Sequence, residues 1–306
     1  MTARAFTGAV VVDGQTFHPT VTVDVAPAGG PVLPGTVGYL GPTSALNHYA
    51  PPGSGLPGAG AAPPGCVWGP AGLRCDNTDL TLDHVYIHGG IYWTGTGTAG
   101  VTNSILENPS GQNWYVFYSQ NPTESGQLHF TDCTARHLAP NTATDVAPIW
   151  ANNGKPLLAT RLDISGMPQG LPCPGGSVID SVWIHDLAQP RPGNPLHMDG
   201  IFSQGGDNWA IRNSRVDVPL RNPSDVTAAI FVQVIPPGSG DVGGVVENCW
   251  LRGGSYTLRN ETMTGLKVRN TVFAGATFGD AWNQAPGTIG EWAGNTHLDG
   301  SLVAKP

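Results

Sequence analysis

Six short segments of this chain share one pattern: an apolar residue, any residue, Asn or Asp, a small polar residue, any residue, then usually another apolar one. They are VTNSIL (101–106), FTDCTA (130–135), VIDSVW (178–183), IRNSRV (211–216), VENCWL (246–251) and VRNTVF (268–273), with TLDHVY (81–86) as a looser seventh. Their Asn or Asp positions are Asp83, Asn103, Asp132, Asp180, Asn213, Asn248 and Asn270, at spacings of 20, 29, 48, 33, 35 and 22 residues. The spacing of 48 leaves room for one degenerate repeat around LATRLDIS (158–165). A second repeat is interleaved: GIYWT (90–94), VFYSQ (116–120), GIFSQ (200–204), AIFVQ (229–233) and YTLRN (256–260).

Each block is a short alternating or β-branched run between Gly, Pro, Asn or Ser, and so reads as a strand. A sandwich would turn about every 8–12 residues without repeating Asn-Ser. Strands recurring at these wider intervals fit a solenoid. One coil cannot bury its own inner face, but coils stacked at about 4.8 Å pair every strand and build a continuous core. Equivalent Asn and Asp side chains then stack along the axis, each amide bonding to the coils above and below. The reading is an all-β chain whose residues 76–276 form a parallel β-helix of about seven to nine coils.

Composition agrees and narrows the partners. Gly 43 and Pro 28 in 306 residues argue against a helical protein, and 12% charged with 40% hydrophobic residues describes a folded chain with a neutral, turn-rich surface. The formal charge is −8, and Lys155, Lys267, Lys305 and the arginines are scattered, so no basic stripe exists for nucleic acid. No stretch approaches 18 apolar residues, so no membrane insertion is expected. The opening MTARAFTGAVVVDGQTFHPTVTVDV lacks the apolar core of a signal peptide, and export by one is not expected.

Outside the solenoid, residues 1–30 read as an N-terminal attachment segment with two strands around the DGQT turn. Residues 31–75 read as an extended, poorly packed Pro/Gly-rich connector, and 277–306, with Trp282 and Trp292, as a cap on the last coil. Cys66 and Cys75 bracket CVWGPAGLRC and either close a small loop or stay free. Cys133 and Cys249 sit in strand-like runs and read as buried thiols. No cysteine or histidine spacing suits zinc.

The stretch LTLDHVYIHGGIYW (80–93), with VGYLGPTSALNHYAPPG and GCVWGPAGLRCD before it, resembles minor tail proteins of actinobacterial siphoviruses, notably of the mycobacteriophage type. HMDGIFSQGGDNWAIRNSRV (197–216) resembles pectate-lyase-like right-handed β-helices. Together the likeness covers most of 35–276. It implies a right-handed coil and a virion component of the phage tail, assembled in the host cytoplasm. Such proteins are often homotrimers, bound to other tail proteins and touching cell-envelope polysaccharide. Some members depolymerise that polysaccharide.

The catalytic candidates are His197 and Asp199, which share one strand face, with Asp186 or Asp207 approaching from a neighbouring turn. An inverting glycosidase needs two carboxyls about 6.5–9.5 Å apart, one of them protonated. Against hydrolysis, the Gly-His-Gly and Arg-x-Lys elements of polygalacturonase-like enzymes are missing, and LKVRN (266–270) reverses the order of the latter. A structural role is favoured: the His bonding to backbone, the Asp capping a turn. No acidic run suits calcium, no GxSxG elbow occurs, and no cofactor is expected.

Alignment of the second repeat stacks Tyr92, Tyr118, Phe202, Phe231 and Leu258 at one position. Gln120, Gln204, Gln233 and Asn260 lie two residues further, on the same face. Three readings stay open for this row. It is a stacked core, a sugar-binding stripe in which rings cover pyranose faces and amides bond hydroxyls, or the contact between three parallel subunits.

Overall fold

A computed structural model describes residues 2–7, 10–12, 15–17, 20–25, 31–109, 115–119, 126–138, 147–151, 154–188, 198–203, 205–219, 228–233 and 242–306, and before residue 31 only the course of the backbone. The chain forms a parallel β-helix. Its first wall is a nine-stranded sheet running from Leu80–Asp83 to Ile289–Ala293. A ten-stranded second wall runs from Asn47–Tyr49 to Thr296–His297. The third wall is two five-stranded sheets, one ending at Ile149–Ala151 and the other running from Leu171–Pro172 to Gly279–Asn283.

Alternation along each strand decides what is buried. In the second wall Ile87, Leu106, Ala135, Ile164, Ile184, Val216, Leu251 and Phe273 are register partners in successive coils, and all are buried. Such rows from three walls meet in one core that extends along the axis. Each large side chain in a row contributes about 1.5–3 kcal/mol by leaving water.

The six-residue repeat is a corner rather than a strand. In VTNSIL, Val101 and Thr102 end a first-wall strand, Asn103 turns the chain at φ 48°, and Ile105 opens the second wall. Left-handed backbone recurs at His84, Asn103, Asp132, Arg161, Ser181, Asn213, Asn248, Asn270 and Gly294. The corner N–H groups from His84 to Asn270 each donate to a carbonyl of the next coil. Among the described residues this gives nine coils, and Arg161 supplies the degenerate repeat expected near 158–165.

Two anchors are shifted. Asp83 pairs with Thr102 and Asp180 with Thr160, so each lies one residue before its corner, which His84 and Ser181 occupy. From there each still reaches the next coil: Asn103 Nδ2 donates to Asp83 Oδ1 and Asn213 Nδ2 to Asp180 Oδ1, both at 3.0 Å. The small polar residue after the corner points inward and ties coils together. Ser104 and Ser214 hydroxyls accept the Val85 and Val182 N–H groups at 3.1 Å. A turn interrupts the strand ladder here, and these hydroxyls satisfy N–H groups that would otherwise be orphaned.

The flanks differ from what composition suggests. Residues 31–50 are not a loosely packed connector: they form a strap on the solenoid. Val32 N–H donates to the Asn213 carbonyl, Gly38 N–H to that of Arg161, Tyr39 N–H to the Thr134 hydroxyl, and Asn47–Tyr49 pairs with Val85–Ile87. The backbone can lie this close because residue 38 is glycine. At φ 85°, a Cβ there would stand 2.7 Å from both Asp163 Cβ and Thr134 Oγ1. Cys66 and Cys75 are disulfide-bonded across the hairpin Cys66–Gly69 / Gly72–Cys75. Before residue 31, Thr2–Thr7 pairs antiparallel with Thr20–Val25, and Val10–Val12 with Gln15–Phe17. Beyond 276 the ladders continue. Gly279–Asn283, Ile289–Ala293 and Thr296–His297 form a ninth coil, and only 298–306 caps it, with the Val303 carbonyl accepting the Trp292 indole N–H at 2.8 Å.

Candidate functional site

The outer side of the third wall carries the aromatic row. Tyr92, Tyr118 and Trp150 are register partners in one sheet, and Phe202, Phe231, Arg259 and Trp282 in the other. Trp150 stacks on Phe202 with ring centroids 5.6 Å apart, which joins the two sheets into one column. Tyr115 lies parallel to Tyr118 at 4.5 Å. At the far end the Arg259 guanidinium bridges Phe231 at 5.3 Å and Trp282 at 4.5 Å, and Tyr256 stacks on Trp282.

These rings do not fill the solenoid core. Ile91, Phe117, Ile149, Leu171, Ile201 and Ile230 alternate with them and take the interior. Leu258 belongs to that inner set: it pairs with Ile230, and Arg259 is the residue that follows Phe231. The alignment was therefore one residue out in the YTLRN coil. Leu258 faces the core and Arg259, its side chain 17% exposed, faces outward, which explains the register. Asn260 is likewise inside, bonding Met263 and Asn283.

Exposure varies along the row. Phe202 and Phe231 are 2% and 6% exposed and pack with Ala147 and Ala228 in a small cluster of their own, while Tyr92, Tyr115, Tyr118 and Trp150 are half-buried. Burial, with neighbouring tyrosine hydroxyls, raises the Tyr92 and Tyr115 pKa values, so both phenols are neutral hydrogen-bonding groups in ordinary buffers. Gln233 donates to Glu261 Oε2 at 2.8 Å, and Glu261 also pairs with Arg259, so this amide is held by protein. Gln120 and Gln204 lie outside the described residues.

The carboxylate candidates occupy unlike surroundings. Asp199 is 1% exposed and lies in the strand Asp199–Ser203, where it accepts the N–H of its register partner Ala228 in the next coil at 3.0 Å. Asp186 has a side chain 87% exposed, paired to His185 Nδ1 at 2.7 Å, and His185 Nε2 bonds Asp163 at 2.8 Å. Burial opposes charge on His185, but its bonds to Asp163 and Asp186 outweigh this and raise its pKa. His197 lies outside the described residues. Asp207 accepts the Val242 N–H at 2.8 Å, again bridging coils. Among the described residues no group of three His, Cys, Asp or Glu side chains is placed to hold a metal ion.

Sequence reading missed Tyr115, Trp150, Arg259 and Trp282. Trp150 sits in PIWAN, which lacks the Gln that follows the ring by two residues in VFYSQ, GIFSQ and AIFVQ. Trp282 fell in the presumed cap. Alternation alone would have found Arg259, since Leu258 is the better core residue. No family model matches the chain, and no curated protein or solved structure matches it either.

Proposed function

We propose that this protein is a minor tail component of a siphovirus virion, attached to other tail proteins as a homotrimer and presenting its third wall to cell-envelope polysaccharide during adsorption. The observation that carries the reading is the outward column of Tyr92, Tyr118, Trp150, Arg259 and Trp282 along that wall. Flat rings in line along a rigid column suit successive sugar faces, and the rigidity of the walls keeps the ordering cost of binding low. The loop sequences that resemble siphovirus tail proteins supply the virion context. Depolymerisation is the weaker reading, because the Gly-His-Gly and Arg-x-Lys elements of polygalacturonase-like enzymes are missing from the sequence.

Binding of the purified protein to mycobacterial arabinogalactan, with reducing ends assayed in parallel, tests this. The expectation is retention without turnover, and loss of retention in a Tyr118→Ala, Trp150→Ala double variant. Release of reducing ends that disappears in Asp199→Ala would overturn it in favour of an enzyme. An antibody that fails to decorate phage tails in negative-stain images would remove the virion assignment.

A further inference from the structure

The outer face of the second wall holds a different aromatic group. Two residues past each corner, side chains point outward, and in successive coils this row reads Asp163, Trp183, Arg215 and Trp250. The strap crosses this wall from the Asn213 corner, where the Val32 N–H meets the Asn213 carbonyl, to Asp163, where Gly38 lies against the row. Trp183, Arg215 and Trp250 are half-buried.

Arg215 is unlike the other arginines. Its guanidinium carbon lies 3.6 Å from the centroid of the Trp250 ring, and Trp183, its register partner on the other side, stacks on His185 at 3.6 Å. Every other arginine side chain among the described residues faces a carboxylate: Arg74 meets Asp76, Arg136 Glu107, Arg161 Asp132, Arg212 and Arg269 Glu247, Arg252 Asp217, and Arg259 Glu261. Arg215 has no such partner, and its Nε finds no acceptor. The acid on its own strand, Asp217, is taken by Arg252 at 3.2 Å. Burial lowers the Arg215 pKa, and Asp217, already bound to Arg252, opposes this without reversing it.

Keeping a guanidinium half-desolvated and unpaired costs free energy, and an arriving anion recovers it with charge-assisted hydrogen bonds. Trp250, on which the guanidinium stacks, and Trp183 in the neighbouring coil add flat apolar surface beside the charge. The geometry points to Arg215, walled by Trp183 and Trp250, as a binding site for an anionic sugar unit of a polysaccharide. The carboxylate or phosphate of that unit meets the guanidinium, and its ring lies on an indole. A sugar acid offers both features in one rigid group, whereas a flexible protein carboxylate offers only the charge. This site is on a different wall from the aromatic column and does not depend on the role assigned to that column.

Calorimetric titration of the full chain tests the assignment, with polygalacturonate oligosaccharides as the carboxylate arm, phosphomannan oligosaccharides as the phosphate arm and maltoheptaose as the neutral arm. The expected result is binding in at least one acidic arm and none in the neutral one. Arg215→Gln should weaken that binding about tenfold or more, consistent with loss of charge-assisted hydrogen bonds. Arg215→Lys should fall between, keeping the charge but losing the planar stack. Arabinogalactan retention by Arg215→Gln should match that of the parent, which separates this site from the third wall. Thermal unfolding of each variant checks folding, and Trp250→Ala provides the test should Arg215→Gln not fold. Equal acidic-sugar binding by parent and Arg215→Gln, or no acidic-sugar binding by the parent, overturns the proposal. So does an Arg215→Gln variant whose only change is dissociation of an oligomer, because the guanidinium would then serve a carboxylate of a second copy.

Discussion

At each corner a left-handed backbone is required, and Asn213 and Asn248 meet it at φ 50° and 54° while also passing an amide hydrogen bond along the axis. A β-branched residue in that conformation costs about 1–2 kcal/mol, and the amide bond adds to the loss. Asn213→Val should lower the urea midpoint well below that of Asn213→Gly, which keeps the backbone freedom. Equal midpoints would show that the corner tolerates any residue. The residue beyond the corner makes a different prediction. Burial pushes the Cys133 and Cys249 thiols up to about 12, so neither should react with a thiol reagent at neutral pH until the column unfolds. His185, with its raised folded-state pKa, contributes stability that is fully present below the unfolded value near 6.5 and is lost as pH rises through the folded pKa. His88 works in reverse: burial, opposed by Glu107, lowers its pKa, so its contribution is present above the unfolded value near 6.5 and is lost as pH falls through the lower folded pKa. The two partly cancel in the parent. The His185→Gln minus parent difference in urea midpoint should therefore shrink as pH is raised, and a difference constant with pH would refute the assignment.

Whole elements were legible where side-chain alternation repeats, and illegible where it does not. Asn or Asp stands on the corner itself in five of the turns and one residue before it at His84 and Ser181, yet Arg161 holds the same backbone with no such mark, because the stacked carbonyl ladder imposes the conformation on whatever residue arrives. The aromatic row was legible as a row, but its phase at Leu258 was lost because a strand shifted by one residue exchanges its inner and outer faces. Least legible was the strap. Pro and Gly content reports turns and extended backbone and carries no information on what that backbone lies against, so the contacts at Asp163 and Thr134 appear only in three dimensions. That placement predicts the effect of one methyl group. Gly38→Ala must adopt a strained φ and displace both Asp163 and Thr134, at a cost of about 1–3 kcal/mol. The strap should lift while the solenoid persists. Limited proteolysis within the exposed residues 40–45 should accelerate several-fold with the far-ultraviolet circular dichroism unchanged, and parent-like cleavage would show that the strap is not held at residue 38.

The molecule as a whole is a stack in which each interior coil is stabilised by two neighbours and each terminal coil by one, so its stability should be graded along the axis. The two ends are finished differently. At the N-terminal end the disulfide of Cys66 and Cys75 closes a hairpin that pairs with Ile91–Trp93. A loop of this length stabilises by about 2–3 kcal/mol in the chain-entropy account. The C-terminal end has no covalent closure: the ninth coil is covered by 298–306, through the Trp292 bond to the Val303 carbonyl and the Val303 N–H to the Asn295 carbonyl. Hydrogen exchange followed by mass spectrometry should find the slowest amides in the strands around Ile184 and Val216 and faster ones in Gly279–Asn283 and Ile289–Ala293. Truncation after His297 should speed the ninth coil by about tenfold or more, as expected for losing about 1.4 kcal/mol of local stability, without altering the central coils. Uniform exchange from end to end would mean that the column opens only as one cooperative unit, and uniform acceleration on truncation would assign the cap a global role.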